Sequence, residues 1–257
     1  MLALDIAATG MQAQQTNVEV IANNIANMTT TGFKAQRVEF QDLLYQDMRE
    51  PGSNSSDSGT IVPSGLQQGL GVKTAGIYRT NGQGNLQQTG NTLDMAINGS
   101  GWFQVTLPSG QTAYTRDGTF SLAPDGTIVT ADGYVVQPGI QIPTNANNVT
   151  INASGQVEVT VAGQTAPSTV GQLQLATFPN DAGLAAQGGN LFVQTAASGV
   201  PGSTGFGTAM QGYLENSNVN VVSEMTNLIS AQRAYEMNSQ VISSSNEMLS
   251  TLTQLRS

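Results

Sequence analysis

Asp117, Asp125 and Asp132 are the side chains whose type and spacing could do chemistry, since two carboxylates in one cleft can act as acid and base on a glycosidic bond. Each stands directly before a glycine, however. Asp-Gly is also the sequence of a tight turn, in which the Asp bonds the local backbone and the Gly accepts positive φ. The intervals of eight and seven residues are those of successive hairpins, so the turn reading takes precedence. Composition narrows the rest. There is no His and no Cys, which removes the commonest general base, the commonest metal ligand and any thiolate. Gly69-Leu-Gly71 and Gly99-Ser-Gly101 lack the Lys-Ser/Thr of a phosphate loop, and neither Gly-x-Ser-x-Gly nor Ser-x-x-Lys occurs. No loop alternates Asp or Asn as calcium requires. Sequons at Asn98, Asn148 and Asn152 are near chance in so Asn- and Ser-rich a chain, and Trp102 and Phe103 read as core aromatics rather than a sugar platform. No catalytic residue, metal or cofactor is expected.

The elements that would position any functional group follow from the hydrophobic period. From Val221, the residues Met225, Leu228, Gln232, Tyr235, Ser239, Ile242, Asn246 and Leu249 recur at three-four spacing, and Gly and Pro are absent from Val219 onward. Asn220 is a suitable N-cap and Glu224 suits the first-turn dipole, so a helix of about 30 residues is expected. At the other end Leu4, Ala8, Met11, Gln15, Val18, Ala22, Ile25 and Met28 make a second seam, flanked by the small residues Ala7, Gly10, Ala13 and Ala26. One narrow apolar stripe cannot hold a long helix in water, so the termini are expected to pair as a coiled coil and then pack on copies of themselves. Thr29 to Gly32 should end the first helix, leaving Asn23, Asn24 and Asn27 on its last turn with amides able to bond backbone carbonyls of this or a neighbouring subunit. The expected interface is Met11, Val18, Asn23, Asn24, Ile25, Asn27, Met225, Leu228, Gln232, Tyr235, Ile242 and Leu249.

Between the termini, Phe33 to Gln46 fits a strand or a short helix, and Arg49 to Gly65, with Pro51, Pro63 and a Ser-rich run, has linker composition. From Gly71 to Gly212 short alternating runs separated by Gly-rich turns predict a β domain of hairpins. The expected fold is mainly β with α-helical termini. Its parts are a terminal coiled-coil domain (1–32 and 219–257), an extended connecting segment (33–70), a β-rich domain (71–212) and a return linker (213–218). Among the 257 residues charged side chains are only 10%, with a net charge of −9, which opposes binding to nucleic acid or anionic lipid. A polar but weakly charged surface costs little to desolvate and suits extensive protein contact. No basic N-terminal region precedes an apolar run, and no run approaches a membrane span, so a soluble chain without a cleaved signal peptide is expected.

Ile21-Ala-Asn-Asn-Ile-Ala-Asn27 with Thr31-Gly-Phe-Lys34 resembles the N-terminal signature of the bacterial flagellar axial proteins of rod and hook. Glu215-Asn-Ser-Asn-Val-Asn-Val221 with Gln232-Arg-Ala-Tyr-Glu-Met-Asn-Ser239 resembles their C-terminal signature, and the runs Gly84 to Phe103 and Tyr114 to Phe120 resemble their β domain. The length and Asp42-Leu-Leu-Tyr-Gln46 favour a distal rod subunit over a hook subunit, with a proximal rod subunit as the alternative. The resemblance implies a structural subunit that polymerises helically into a straight, hollow drive shaft transmitting torque from motor to hook. It implies export by the flagellar type III export apparatus, a basal-body location from periplasm to outer membrane, and as partners further copies of itself, the proximal rod and hook proteins, the rod cap, and the P-ring and L-ring proteins. It also implies that residues 46–70 wedge between subunits and favour a straight tube. Rival readings are a secreted carbohydrate-active enzyme and an adhesin or binding module whose helices form a trimeric stalk.

Overall fold

The structure is a computed structural model that describes residues 2–49, 65–161 and 166–256. Among these the chain is mainly β, with one helix near each end, and it divides into two compact units. Unit 1 comprises Met1–Ile25, Gln36–Tyr78 and Val221–Ser257; unit 2 comprises Ala26–Ala35 and Arg79–Asn220. Most of the expected linker 49–65 lies outside the described residues.

In unit 1, α1 (Leu2–Ala26) and α2 (Val221–Arg256) are the two expected helices. At 36 residues α2 is longer than its seam suggested, roughly 54 Å at 1.5 Å per residue. Residues 33–46, open between helix and strand in the sequence, continue as β1 (Gln36–Asp42) and enter β2 (Tyr45–Arg49). The connecting segment therefore carries ladders on both sides of the Ser-rich run: β2 pairs antiparallel with β3 (Leu66–Gly69), and β1 pairs with β4 (Val72–Arg79).

Unit 2 is built on one mixed-order antiparallel sheet. Its strands in chain order are β5 (Leu86–Gln88), β6 (Met95–Asn98), β7 (Trp102–Thr106), β8 (Thr112–Thr115), β9 (Phe120–Leu122), β10 (Ile128–Thr130) and β11 (Val135–Val136). There follow β12 (Ala146–Ile151), β13 (Gln156–Val161), β14 (Ser168–Gln172), β15 (Leu175–Ala176), β16 (Ala185–Gly188), β17 (Leu191–Val193), β18 (Thr208–Gln211) and β19 (Tyr213–Glu215). The main sheet runs β16-β17-β8-β7-β11-β10-β9, with β15 also on β7. A meander β12-β13-β14 and the pairs β18-β6 and β19-β5 complete the unit. Alternation along β7, β8 and β17 puts neighbouring side chains on opposite faces. Phe103, Val105, Ala113, Leu191 and Val193 enter the larger core with Met95, Ile97 and Val157, while Trp102, Tyr114 and Phe192 form a second cluster with Ala176 and Leu184. Trp102 and Phe103 are thus core residues of two different clusters.

The Asp-Gly pairs divide. Asp125-Gly126 and Asp132-Gly133 turn the hairpins β9-β10 and β10-β11. Asp117-Gly118 does not, because β9 pairs β10 at the far edge of the sheet from β8, and the chain crosses over instead of reversing. The glycine at 118 answers a close approach: Met95 N–H donates to Gly118 O at 3.0 Å, and a Cβ at 118 would strike Met95 O. The return linker expected at 213–218 opens instead with β19 (Tyr213–Glu215), so β18 and β19 both precede α2.

At Asp117 and Asp125 the carboxylate bonds its own loop. Thr119 N–H and Oγ1–H donate to Asp117 Oδ1, and Thr127 N–H and Oγ1–H donate to Asp125 Oδ1. The Thr127 side chain, then the Thr127 backbone, hold the Asp125 carboxyl below its ordinary value. A depressed folded-state pKa contributes stability that is present above the ordinary carboxylate value and lost as pH falls through the folded one. Thr127→Val should move the Asp125 midpoint upward in an NMR pH titration; an unmoved midpoint would remove the turn bond as its cause.

Candidate assembly surfaces and a buried ion cluster

The helical seams differ from the sequence expectation in which face is covered. On α1 the buried residues are Ala7, Ala13, Val20, Ile21 and Asn24, so Ala8, Gln15 and Ala22 of the expected seam are exposed, and Leu4, Met11, Val18 and Ile25 are half-buried. The covered row lies about a third of a turn round the helix from the expected one. On α2 the buried residues are Ala231 and Ser245; Leu228, Ile242 and Leu249 are half-buried, whereas Met225, Gln232 and Tyr235 are exposed. Small residues explain the shift. A Cβ on Gly10 would lie 2.8 Å from Asn238 Nδ2, so α2 approaches closely at a point where α1 has no side chain. Beside that approach, Gln15, Val18 and Glu19 of α1 and Gln232, Tyr235 and Glu236 of α2 line an open groove of about 530 Å³. Residue numbers rise on one helix as they fall on the other, which makes the approach antiparallel.

The Asn cluster also divides. Asn24 is buried and fully engaged within its own chain, donating Nδ2 to Gln36 O and accepting from Gln36 N–H at Oδ1, both at 2.8 Å. It therefore acts as a strand partner for the start of β1 and not as a group offered to a neighbour. Asn27 Oδ1 accepts from Thr30 Oγ1 at 3.2 Å, and Asn23 is exposed. Unit 1 shows a further apolar surface on the β2-β3 hairpin, where Leu44, Tyr45, Met48 and Leu66 are exposed, Leu44 to 83%.

The principal polar feature of unit 2 was not anticipated from the sequence. Glu215, 1% exposed, accepts Lys34 Nζ at 2.7 Å and Gly84 N–H at 2.9 Å on Oε1, and Arg116 Nη1 at 3.1 Å on Oε2. Lys34 also donates to Gly82 O, and Arg116 to Ile97 O and Gly99 O, while Arg116 Nε has no partner among the described residues. Burial pulls Lys34 and Arg116 below their ordinary pKa values, opposed mainly by Glu215. Backbone packing is as close as the ions. Gly32 N–H donates to Glu215 O at 2.7 Å, and Gly32, at φ +68°, has Arg116 C where a Cβ would sit. Local periodicity could not reveal a cluster whose members are 99 and 181 residues apart. The available signal was that, in a chain with few charges, Lys34, Arg116 and Glu215 each fall inside a quoted signature.

Three family models match in succession: "Flagella basal body rod protein" at residues 4–34, "Flagellar hook protein FlgE/F/G D1 domain" at 96–159, and "Flagellar basal body rod FlgEFG protein C-terminal" at 210–255. The flagellar basal-body rod protein FlgG of Caulobacter vibrioides is 58% identical, the match spanning 100% of both chains. That of Agrobacterium fabrum is 52% identical over 98% of each chain, and that of Bacillus subtilis 40% identical over 96% of each. Each matched segment supplies one member of the ion cluster.

Removing one partner of a buried ion pair leaves the other charge uncompensated, at a cost of about 3–5 kcal/mol. Glu215→Gln, which strands two cations, should lower stability by that order in denaturant unfolding, whereas Lys34→Met with Glu215→Gln should recover part of the loss. Equal stability of E215Q and the parent chain would contradict the burial of the cluster.

Proposed function

Since the chain belongs to the FlgG family of flagellar basal-body rod proteins, and so is a structural axial subunit of the flagellar distal rod and not an enzyme, we propose that its copies polymerise through α1, α2 and the β2-β3 hairpin. The observation that carries this reading is the apolar surface left uncovered in unit 1. Val222, Met225, Ile229, Tyr235, Met237, Val241 and Met248 are exposed on one helix, together with the hairpin residues above. Contiguous exposed apolar surface marks an interaction site, and in a homopolymer the occupant is another copy. The half-buried row Leu4, Met11, Val18 and Ile25, at seven-residue intervals, offers α1 a second seam beside the covered row. Small residues thus draw the two helices together within a subunit as a coiled-coil-like terminal domain, and the larger side chains of Met11, Val18, Ile25, Met225, Leu228, Tyr235, Ile242 and Leu249 meet neighbouring subunits. Gln232, Asn23 and Asn27 supply polar contacts there. Contacts of this heterologous kind, with a rotation that does not close, generate a tube.

The finer reading places the tube as the straight, hollow distal shaft between proximal rod and hook, built under a rod cap, turning inside the P-ring and L-ring proteins, and delivered by the type III export apparatus. Weak surface charge supports a shaft that forms few ion pairs with the surrounding rings. No helix among the described residues is long and apolar enough to cross a membrane. The hairpin and residues 46–70 between them form the wedge that keeps the tube straight.

Negative-stain electron microscopy of concentrated protein should show straight tubes for the full chain and none for a chain lacking residues 1–30 and 219–257; closed trimers would instead support a helical stalk. Tyr235→Asp should abolish tubes while leaving the circular dichroism of the subunit unchanged. Deletion of residues 50–64 should yield curved filaments, and equally straight ones would exclude the wedge.

A further inference from the structure

The chain passes between the two units after Ile25, Ala35, Tyr78 and Asn220. On the unit 2 side the segments flanking the last three passages are bonded to one another. Ala35 N–H donates to Asn218 Oδ1 at 2.7 Å, and Asn218 Nδ2 donates to Thr80 O at 2.8 Å and Gly82 O at 2.9 Å. Thr80 N–H donates to Ala35 O at 2.8 Å and Asn218 N–H to Phe33 O at 3.4 Å. One amide side chain thus spans residues 33–35, 80–82 and 218. Directly beside it Lys34 Nζ bridges Gly82 O to the Glu215 carboxylate, joining the same three segments a second time. Next along the chain, Arg79 donates to Leu184 O at 3.1 Å, with its guanidinium carbon 4.9 Å from the Phe192 ring centroid. Three of the chain's eight basic side chains, Lys34, Arg79 and Arg116, are spent at these passages and the core behind them.

We infer that the Asn218–Lys34–Glu215 lacing is a mechanical clamp within unit 2: it binds the three segments at which the chain enters and leaves that unit into one rigid entry, so that none of them can slide or turn alone. A lone connecting strand turns freely about its φ and ψ bonds. Three strands cross-bonded at residues 33–35, 80–82 and 215–218 can rotate only by breaking several bonds together, one of them the Lys34 bond to the buried Glu215 carboxylate. The arrangement differs from ordinary core stabilisation in its placement, since a hydrophobic contact would hold the segments together yet let them slide, whereas directional bonds fix their register. Asn is suited to the centre because it both donates and accepts, and here it accepts from one segment while donating twice to another.

The inference rests on the rod function, and two measurements separate its failure from the failure of that function. In the soluble full chain, Asn218→Ala should speed amide hydrogen exchange at Ala35 roughly tenfold, with the thermal midpoint of unit 2 moving by only a few degrees. Asn218→Asp, which keeps the acceptor and loses both donors, should retain slow exchange at Ala35. In the native bacterium with its chromosomal copy replaced, N218A should still build rods, but a several-fold larger fraction should fracture during basal-body isolation, and swimming should fail at lower viscosity than with the parent chain. Unchanged exchange at Ala35 in N218A overturns the lacing itself. Faster exchange with unchanged fracture and swimming overturns its mechanical use and leaves the rod function standing; absence of rods in N218A assigns Asn218 to folding or assembly and likewise overturns the clamp.

Discussion

The carboxylate of Glu215 sits where the chain of unit 2 begins and ends, and the order of that region depends on its two oxygens. Taking a carboxylate out of water costs several kcal/mol, and the cost is recovered only when its acceptor sites are filled with good geometry. Here Lys34, the Gly84 amide and Arg116 fill them. None of the three could be replaced by a local neighbour, because they arrive from the loop after α1, the approach to β5 and the end of β8. Satisfying one ion therefore forces three distant segments into a single arrangement. Apolar burial alone would tolerate several arrangements; this one does not slide. The same carboxylate residue also accepts Gly32 N–H on its backbone, so side chain and main chain specify the same closure.

Around that point the β unit follows simple rules. Short strands with strict alternation must be covered on both faces, and the two clusters on either side of β7 and β8 supply the cover. This is why Trp102 and Phe103, adjacent in sequence, share no core. The Trp102 indole N–H finds Asp181 Oδ1 at 3.0 Å, which satisfies that donor at the edge of the smaller cluster. With aromatic pairs at Trp102–Phe192, Phe103–Phe120 and Tyr114–Phe178, all edge to face, few aromatics suffice to fix the sheet.

These strands were legible in the sequence to the extent that their signal was local. The runs beginning at Trp102, Thr112 and Val157 read as strands because alternation and flanking turns coincide there. The order of the strands was not legible, and Asp117-Gly118 shows why: its dipeptide is the same as that at Asp125-Gly126, yet one crosses the sheet and the other reverses the chain. Only the position of β9 beside β10 decides between them, and that is a long-range fact. β1 was ambiguous with a short helix, and β2 and β3 were missed, for a related reason. Their exposed, polar-rich sequences carry little apolar alternation, and Asn24, reaching from α1 to both backbone groups of Gln36, starts the first of them from outside the strand. The ion cluster was spread over three signatures, so its members were quotable one by one without any sign that they meet.

The helices present the most instructive misreading, because the periods were right and the covered face was wrong. A period search weights large apolar side chains, which at Met11, Val18 and Ile25 and at Met225 and Tyr235 are the best seam formers in the chain. What α1 buries instead includes Ala7 and Ala13, on either side of the point where Gly10 lets Asn238 approach, with Val20, Ile21 and Asn24 further along. Magnitudes show why both rows are needed. Covering an alanine methyl yields about 0.8 kcal/mol, against about 1.5–3 kcal/mol for a Val, Leu or Met side chain. A small-residue face lets two helices come close and sets their register, but it gains too little to hold 36 residues of helix with mean polar character. The larger gain resides in side chains that the subunit leaves exposed. A chain that separates close approach from strong burial in this way has helices whose full stability is available only when something covers the second row.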